Sequence, residues 1–183
     1  MIVIISGTNR PGSNTRRVAS NLEASYQMLG VKTQLLDLVE LPPEVFLPAA
    51  YADKPAAFKK FSDAVLAADG LVVVTPEYNG SFPGALKYFI DLLPFPESFE
   101  QRPVCFVGLA AGMWGALRAV EQLQGVFGYR NAHVFPGRIF IPSIGQQLDA
   151  AGQFTDAEMT ARLAKQAAGF TGFVESLRGK KLR

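Results

Sequence analysis

Residues Leu71–Lys87 read LVVVTPEYNGSFPGALK. The opening run, Leu71–Thr75, is apolar without alternation, the pattern of a strand buried on both faces. Pro83 suits the first turn of a helix, and Leu86, Ile90 and Leu93 then fall on one side of it. A buried strand therefore passes through a loop into an amphipathic helix. Reversing the chain would take only Asn79-Gly80, yet the loop also carries a carboxylate, a phenol and an amide.

The same unit repeats on either side of that stretch. Ile2–Ser6 is a second continuous apolar run, followed by a loop and a helix expected over Asn14–Leu29, with Gly30 as its stop. Lys32–Leu38 reads as a strand, and residues 41–55 are Pro-rich and irregular. Phe58, Phe61, Val65 and Ala68 predict a helix over Pro55–Asp69, ended by Gly70. Val104–Leu109 is a fourth strand, followed by a Gly/Ala loop and a helix to about Phe127. His133–Phe135 and Arg138–Ile141 fit one kinked fifth strand. The last helix opens on Thr155-x-x-Glu158, a capping-box pattern, with Met159, Leu163, Phe170, Phe173 or Val174, and Leu177 on its apolar face.

Five strands alternating with helices predict an α/β fold, a parallel sheet covered on both faces. The flavodoxin-like order 2-1-3-4-5, a three-layer sandwich formed by a single domain over 1–183, is the expected arrangement. Ligands in such sheets bind beyond the carboxyl ends of the strands, where the strand order reverses. Here that point lies between strands 1 and 3, so the loops Gly7–Asn14 and Pro76–Phe82 should wall a site.

Composition narrows the chemistry. Of 183 residues, 49% are hydrophobic and 19% charged, which favours a heavily buried sheet or a partner-covered surface. The net charge of +2 gives no case for nucleic acid. The basic tail Arg178–Arg183 reads as a solvated end. One cysteine, Cys105, and one histidine, His133, argue against disulfides, metal sites and His-assisted triads. Cys105 reads as a small apolar side chain within a buried strand. Met1–Ile5 is too short for a signal peptide or a membrane span, so a cytoplasmic protein is expected.

The first loop, Gly7–Thr15, combines Thr8, Asn9, Ser13, Asn14 and Thr15 with Arg10 and two glycines, directly before a helix N-terminus. Free N–H groups, the positive end of the helix dipole, hydroxyls and a guanidinium suit a phosphate monoester. The plain alternative is capping by Ser13 or Asn14 alone. Gly7 and Gly12 nearly spell a Walker A loop, but Ser13-Asn14 stands where Lys-Ser/Thr is required, and strand 3 offers no Asp for magnesium. The G-x-G-x-x-G fingerprint is absent. The second loop presents backbone groups, the Asn79 amide and the Tyr78 ring to a flat polar heterocycle. Flavin mononucleotide (FMN) would span both loops. A third loop, Ala110–Ala116, could approach the ring's other edge, while Trp114 reads as a core or interface residue.

These stretches resemble the NADPH-dependent FMN reductases of flavodoxin-like fold. Residues 76–87 are similar to that family's P-E-Y-N-x-S-x-P-G-x-L-K signature, Arg10-x-x-Ser13-x-Thr15 to its phosphate loop, and Gly112-x-x-Gly115-Ala116-x-Arg118-Ala119 to its G-x-x-G-G-x-R-A loop. The sequence departs from the pattern at Tyr88, Leu92, Ala116 and Ser6-Gly7. The first two of these bear on the substrate pocket and the subunit interface.

The resemblance implies FMN bound by Thr8, Arg10, Ser13, Asn14 and Thr15 at the phosphate. It implies Pro76, Glu77, Tyr78, Asn79 and Gly80 along the ring, and Ala111, Gly112 and Gly115 at its pyrimidine edge. It also implies NADPH or NADH as co-substrate and ping-pong hydride transfer through flavin N5 to a quinone, azo compound, flavin or similar acceptor. No acid or base residue is named, and Lys87 reads as part of a solvated helix face or as an ion-pair partner of Asp91. A homodimer or homotetramer is implied, with Phe82, Tyr88 and Leu92–Pro96 as candidate contacts. Two other readings compete: a one-electron carrier, which would not oxidise NADPH alone, and a non-catalytic module, which would bind no flavin.

Overall fold

The computed structural model describes residues 1–178, so the basic tail at 179–183 lies outside the described residues. Its elements are β1 (Ile2–Ser6), α1 (Asn14–Met28), β2 (Thr33–Asp37), α2 (Lys59–Ala67), β3 (Gly70–Pro76), α3 (Gly84–Leu92), β4 (Pro103–Leu109), α4 (Leu117–Tyr129), β5 (His133–Val134), β6 (Ile139–Ile141) and α5 (Ala157–Leu177). The sheet is parallel throughout, in the order β2-β1-β3-β4-β5, and β6 also pairs with β4. This is the flavodoxin-like α/β arrangement.

The continuous apolar runs are explained by the two cores. Successive side chains of a strand point to opposite faces. Val3, Ile5, Val73 and Phe106 join Phe61, Phe89, Val120 and Phe127 from α2, α3 and α4 on one face. Ile2, Ile4, Val72, Val74 and Val107 join Leu22 and Tyr26 from α1 and Leu163 and Phe170 from α5 on the other. Each of these large aliphatic side chains contributes roughly 1.5–3 kcal/mol on burial, so neither face tolerates a polar alternation.

Three expectations need correction. The kinked fifth strand is two short strands, because Pro136 interrupts the run and each part pairs separately with β4. Gly70 does not end a helix: it begins β3, where a Cβ would lie 2.8 Å from Val174 Cγ2. The helix before it starts at Lys59, after a 3-10 turn over Ala56–Phe58. The last helix is capped by Asp156, whose Oδ1 accepts from the Glu158 amide at 2.9 Å, while the Thr155 hydroxyl donates to Gln147 O instead. A carboxylate suits the positive end of the helix dipole better than a hydroxyl.

The exits of β1 and β3 run side by side. Ser6 is in register with Val74, and the Gly7 amide donates to Val74 O at 2.8 Å. A Cβ on Gly7 would sit 2.7 Å from that same oxygen, so only glycine lets the two loops leave the sheet in contact.

Candidate functional site

A cleft of about 310 Å3 opens at the carboxyl ends of β1, β3 and β4. Its walls are the loop after β1 (Arg10–Thr15), the start of the loop after β3 (Pro76–Tyr78), and Leu109–Ala111 with Ile144. A second hollow of about 180 Å3 shares Glu77, Ala110 and Ala111 with it and continues past Asn79, Gly80 and Gly112 to Trp114 and Arg118.

Donors crowd one end of the cleft. Ser13 caps α1, its hydroxyl accepting from the Arg16 amide at 3.3 Å. The backbone amides of Gly12, Ser13, Asn14 and Thr15 donate to no acceptor among the described residues. They are the orphan donors that every helix start leaves. Arg10 is exposed beside them and pairs with no carboxylate among the described residues. Thr15 is buried at the first turn. The capping role of Ser13 is therefore real, and it leaves the anion-binding potential of the loop intact.

The other end is held rigidly. Asn79 and Gly80 have φ of 51° and 79°, and Tyr78 and Ser81 exchange backbone hydrogen bonds of 2.8 and 3.1 Å across them. That is a two-residue turn with both central residues left-handed, the geometry Asn-Gly favours. Glu77 Oε1 pairs with Arg118 Nη2 at 2.8 Å. Its other oxygen, Oε2, is buried without a donor among the described residues. The Tyr78 hydroxyl lies 3.0 Å from Thr8 Oγ1, which ties the second loop to the first.

The structure brings most of the expected residues together. Arg10, Ser13, Asn14, Thr15, Pro76, Glu77, Tyr78 and Ala111 line the main cleft, and Asn79, Gly80 and Gly112 line its extension. Two stand apart. Thr8 is fully buried and meets the site only through Tyr78 and the Arg10 amide. Gly115 faces β6, where a Cβ would lie 2.7 Å from the Ile141 nitrogen, so it packs the β4–α4 crossing rather than lining the cleft. Trp114 is 55% exposed and is no core residue. Lys87 pairs with Asp91 at 2.8 Å, as expected.

Sequence reasoning missed Pro11, Gly12, Leu109, Ala110 and Ile144 as lining residues. Pro11, Gly12 and Ala110 adjoin expected site residues, and Leu109 is the last residue of β4. Ile144 arrives through the 3-10 turn after β6, and its amide bonds Ala110 O at 3.0 Å. Nothing in its local sequence signals this. Cys105 is fully buried within β4, and burial pushes its thiol pKa well above the usual range. Among the described residues, no group of three or more His, Cys, Asp or Glu could hold a metal.

A parallel sheet with an anion-ready loop and a pinned flat-faced loop at its switch point defines a flavodoxin-like protein. The sequence profile of the NADPH-dependent FMN reductases matches residues 1–146, and the chain belongs to that family. It is accordingly an oxidoreductase that uses NAD(P)H and FMN. An NAD(P)H-dependent FMN reductase of Pseudomonas aeruginosa is 29% identical over 96% of this chain and 95% of its own. A 2-hydroxy-1,4-benzoquinone reductase of a Burkholderia species is 31% identical over 86% of each. Among solved structures, the flavoenzyme NAD(P)H:acceptor oxidoreductase of Paracoccus denitrificans superposes with a TM-score of 0.81 at 23% identity, covering 96% of this chain and 97% of that one.

Proposed function

We propose that the cleft holds FMN with its phosphate at residues 10–15 and its ring along residues 76–80 and 110–112. Four consecutive free amides beside an unpaired guanidinium carry this reading, because a dianion satisfies all of them at once. Glu77 Oε2, a buried acceptor without a donor, fits a ring that bears an imide N–H. Residues 10–15, 76–80 and 110–112 would hold FMN, which would supply two-electron redox chemistry between NAD(P)H and an acceptor.

The chain's own part is to orient the ring, keep one face open and fix charge around it. It needs no acid or base. The open extension toward Trp114 admits small planar acceptors. The Burkholderia relative favours a hydroxylated quinone as the first acceptor to test. Alternation of NAD(P)H and acceptor at one open face accounts for a ping-pong order.

The same proposal extends to a homodimer in the cytoplasm, the compartment that supplies NAD(P)H. Leu92 and Leu93 are core residues, so they leave the list of contact candidates. Tyr129 lines a groove of about 500 Å3 between α3 and α4, and Arg130 on its wall lies over the exposed Phe95 ring at 4.6 Å, while the half-exposed Tyr88 packs on Phe46. A second copy would cover this apolar strip.

The test is the visible spectrum of protein loaded with FMN and desalted, before and after anaerobic NADPH. A retained flavin band that NADPH bleaches is expected. A band that stays unbleached would make the chain a carrier, and no band would make it a module without flavin.

A further inference from the structure

One face of α4 reaches across to the loop after β3. Arg118 and Gln122 stand four residues apart, so their side chains lie over one another on the helix. Arg118 donates to Glu77 Oε1 from Nη2 at 2.8 Å and from Nε at 3.0 Å. Gln122 Nε2 donates to Gly80 O at 3.2 Å, and its Oε1 accepts from the Ser81 hydroxyl at 2.5 Å. From the opposite side Thr8 meets Tyr78. Residues 77, 78, 80 and 81 are thus each fastened by a side chain from another element, and the left-handed pair Asn79-Gly80 sits at the apex of the fastened segment.

The two α4 side chains have no role in the core. Arg118 and Gln122 lie on the surface, and no sheet residue depends on them. What they hold is a turn whose central residues are both left-handed, a conformation that Asn79 adopts less readily than Gly80. A loop held open in one conformation before the ligand arrives binds more tightly than one ordered on binding.

We infer that Arg118 and Gln122 are positioning residues that preorganise the ring-binding loop, so that α4 sets flavin-ring affinity without touching the phosphate. This rests on the ring lying along residues 76–80, and it makes a claim that reading does not. Loosening the clamp must weaken FMN and riboflavin by the same factor, because both carry the ring and only FMN carries the phosphate.

The experiment titrates flavin-fluorescence quenching with FMN and with riboflavin on the wild-type apoprotein, Gln122→Leu and Gln122→Glu. Gln122→Leu removes both bonds to the loop; Gln122→Glu keeps an acceptor for Ser81 and loses the donor to Gly80 O. Losing two hydrogen bonds is expected to raise both dissociation constants about tenfold for Gln122→Leu, with a smaller rise for Gln122→Glu. The apoprotein should stay folded, with a slightly lower melting temperature for the two lost surface bonds, and its sedimentation should match wild type although Gln122 lines the groove between α3 and α4. Unchanged riboflavin affinity, a change confined to FMN, or a change accompanied by altered sedimentation would each overturn the clamp. Failure of the wild type to bind either flavin would sink the site reading itself, so the two failures are distinguishable.

Discussion

In the loop after β1, the amides of Gly12–Thr15 donate to nothing among the described residues, whereas in the loop after β3 the polar groups are engaged except Glu77 Oε2 and the Asn79 amide. In the proposed site the first loop would bind through donors left unsatisfied at a helix start, where the dipole makes them attractive to anions. The second would bind chiefly by holding a shape. On that proposal one loop would answer to the charge of a ligand and the other mainly to its outline. The two modes predict opposite responses to salt, to charge reversal and to removal of the ligand's phosphate.

Ser13→Asp should give the largest separation. Aspartate caps a helix as well as serine does, so the apoprotein should melt at or slightly above the wild-type temperature. The same carboxylate faces the dianion and removes a hydroxyl donor. Like-charge opposition costs several kcal/mol, so FMN affinity is expected to fall at least about 100-fold. Riboflavin affinity should stay within about twofold. Parallel titrations with the two flavins decide it, and equal losses for both would place the phosphate elsewhere.

Arg10→Ala tests the same loop more gently. A charged hydrogen bond contributes about 1.5–3 kcal/mol, and the exposure of Arg10 puts the expected loss toward the lower end, because salt screens it. Wild-type affinity for FMN should decline from low to high ionic strength more steeply than that of the variant. An Arg10→Ala protein with the wild-type salt slope would remove the guanidinium from the phosphate site.

Tyr78→Phe moves to the second loop. It deletes the bond to Thr8, and Thr8 Oγ1 then keeps only the Arg10 amide as a donor. The apoprotein should lose about 1 kcal/mol in chemical denaturation. FMN and riboflavin should weaken together by a few-fold. A loss confined to FMN would mean that Tyr78 serves the phosphate loop rather than the ring.

How far the sequence discloses these plans differs between the loops. The strands are legible because a sheet buried on both faces allows only continuous apolar runs such as Ile2–Ser6 and Leu71–Thr75. The donor-rich loop is legible too, since its chemistry lies in consecutive residues. The clamp is not: Glu77–Arg118 and Ser81–Gln122 are each 41 residues apart, and only the packing of α4 against the sheet brings them together. Gly70 and Gly115 mislead for a related reason. Their lack of a side chain answers to Val174 and to β6, neither of which is near in sequence.

The smallest effect belongs to Asn79→Gly, and it separates two roles that alanine would confound. Asn79 has φ of 51°, where alanine is strained and glycine is not, so Asn79→Ala would disturb the turn whatever the amide does. Glycine keeps the turn and removes only the side chain. That side chain makes no hydrogen bond among the described residues, so stability should change by less than about 0.5 kcal/mol. If residue 79 serves the ring through its main chain, FMN affinity and the flavin spectrum should also stay as in wild type. If the amide itself donates to the ring, both flavins should weaken about fivefold and the absorption band should shift. Unchanged binding with glycine would leave the second loop acting through its shape and Glu77 Oε2, while a common loss for FMN and riboflavin would add the Asn79 amide to the groups it offers the ring.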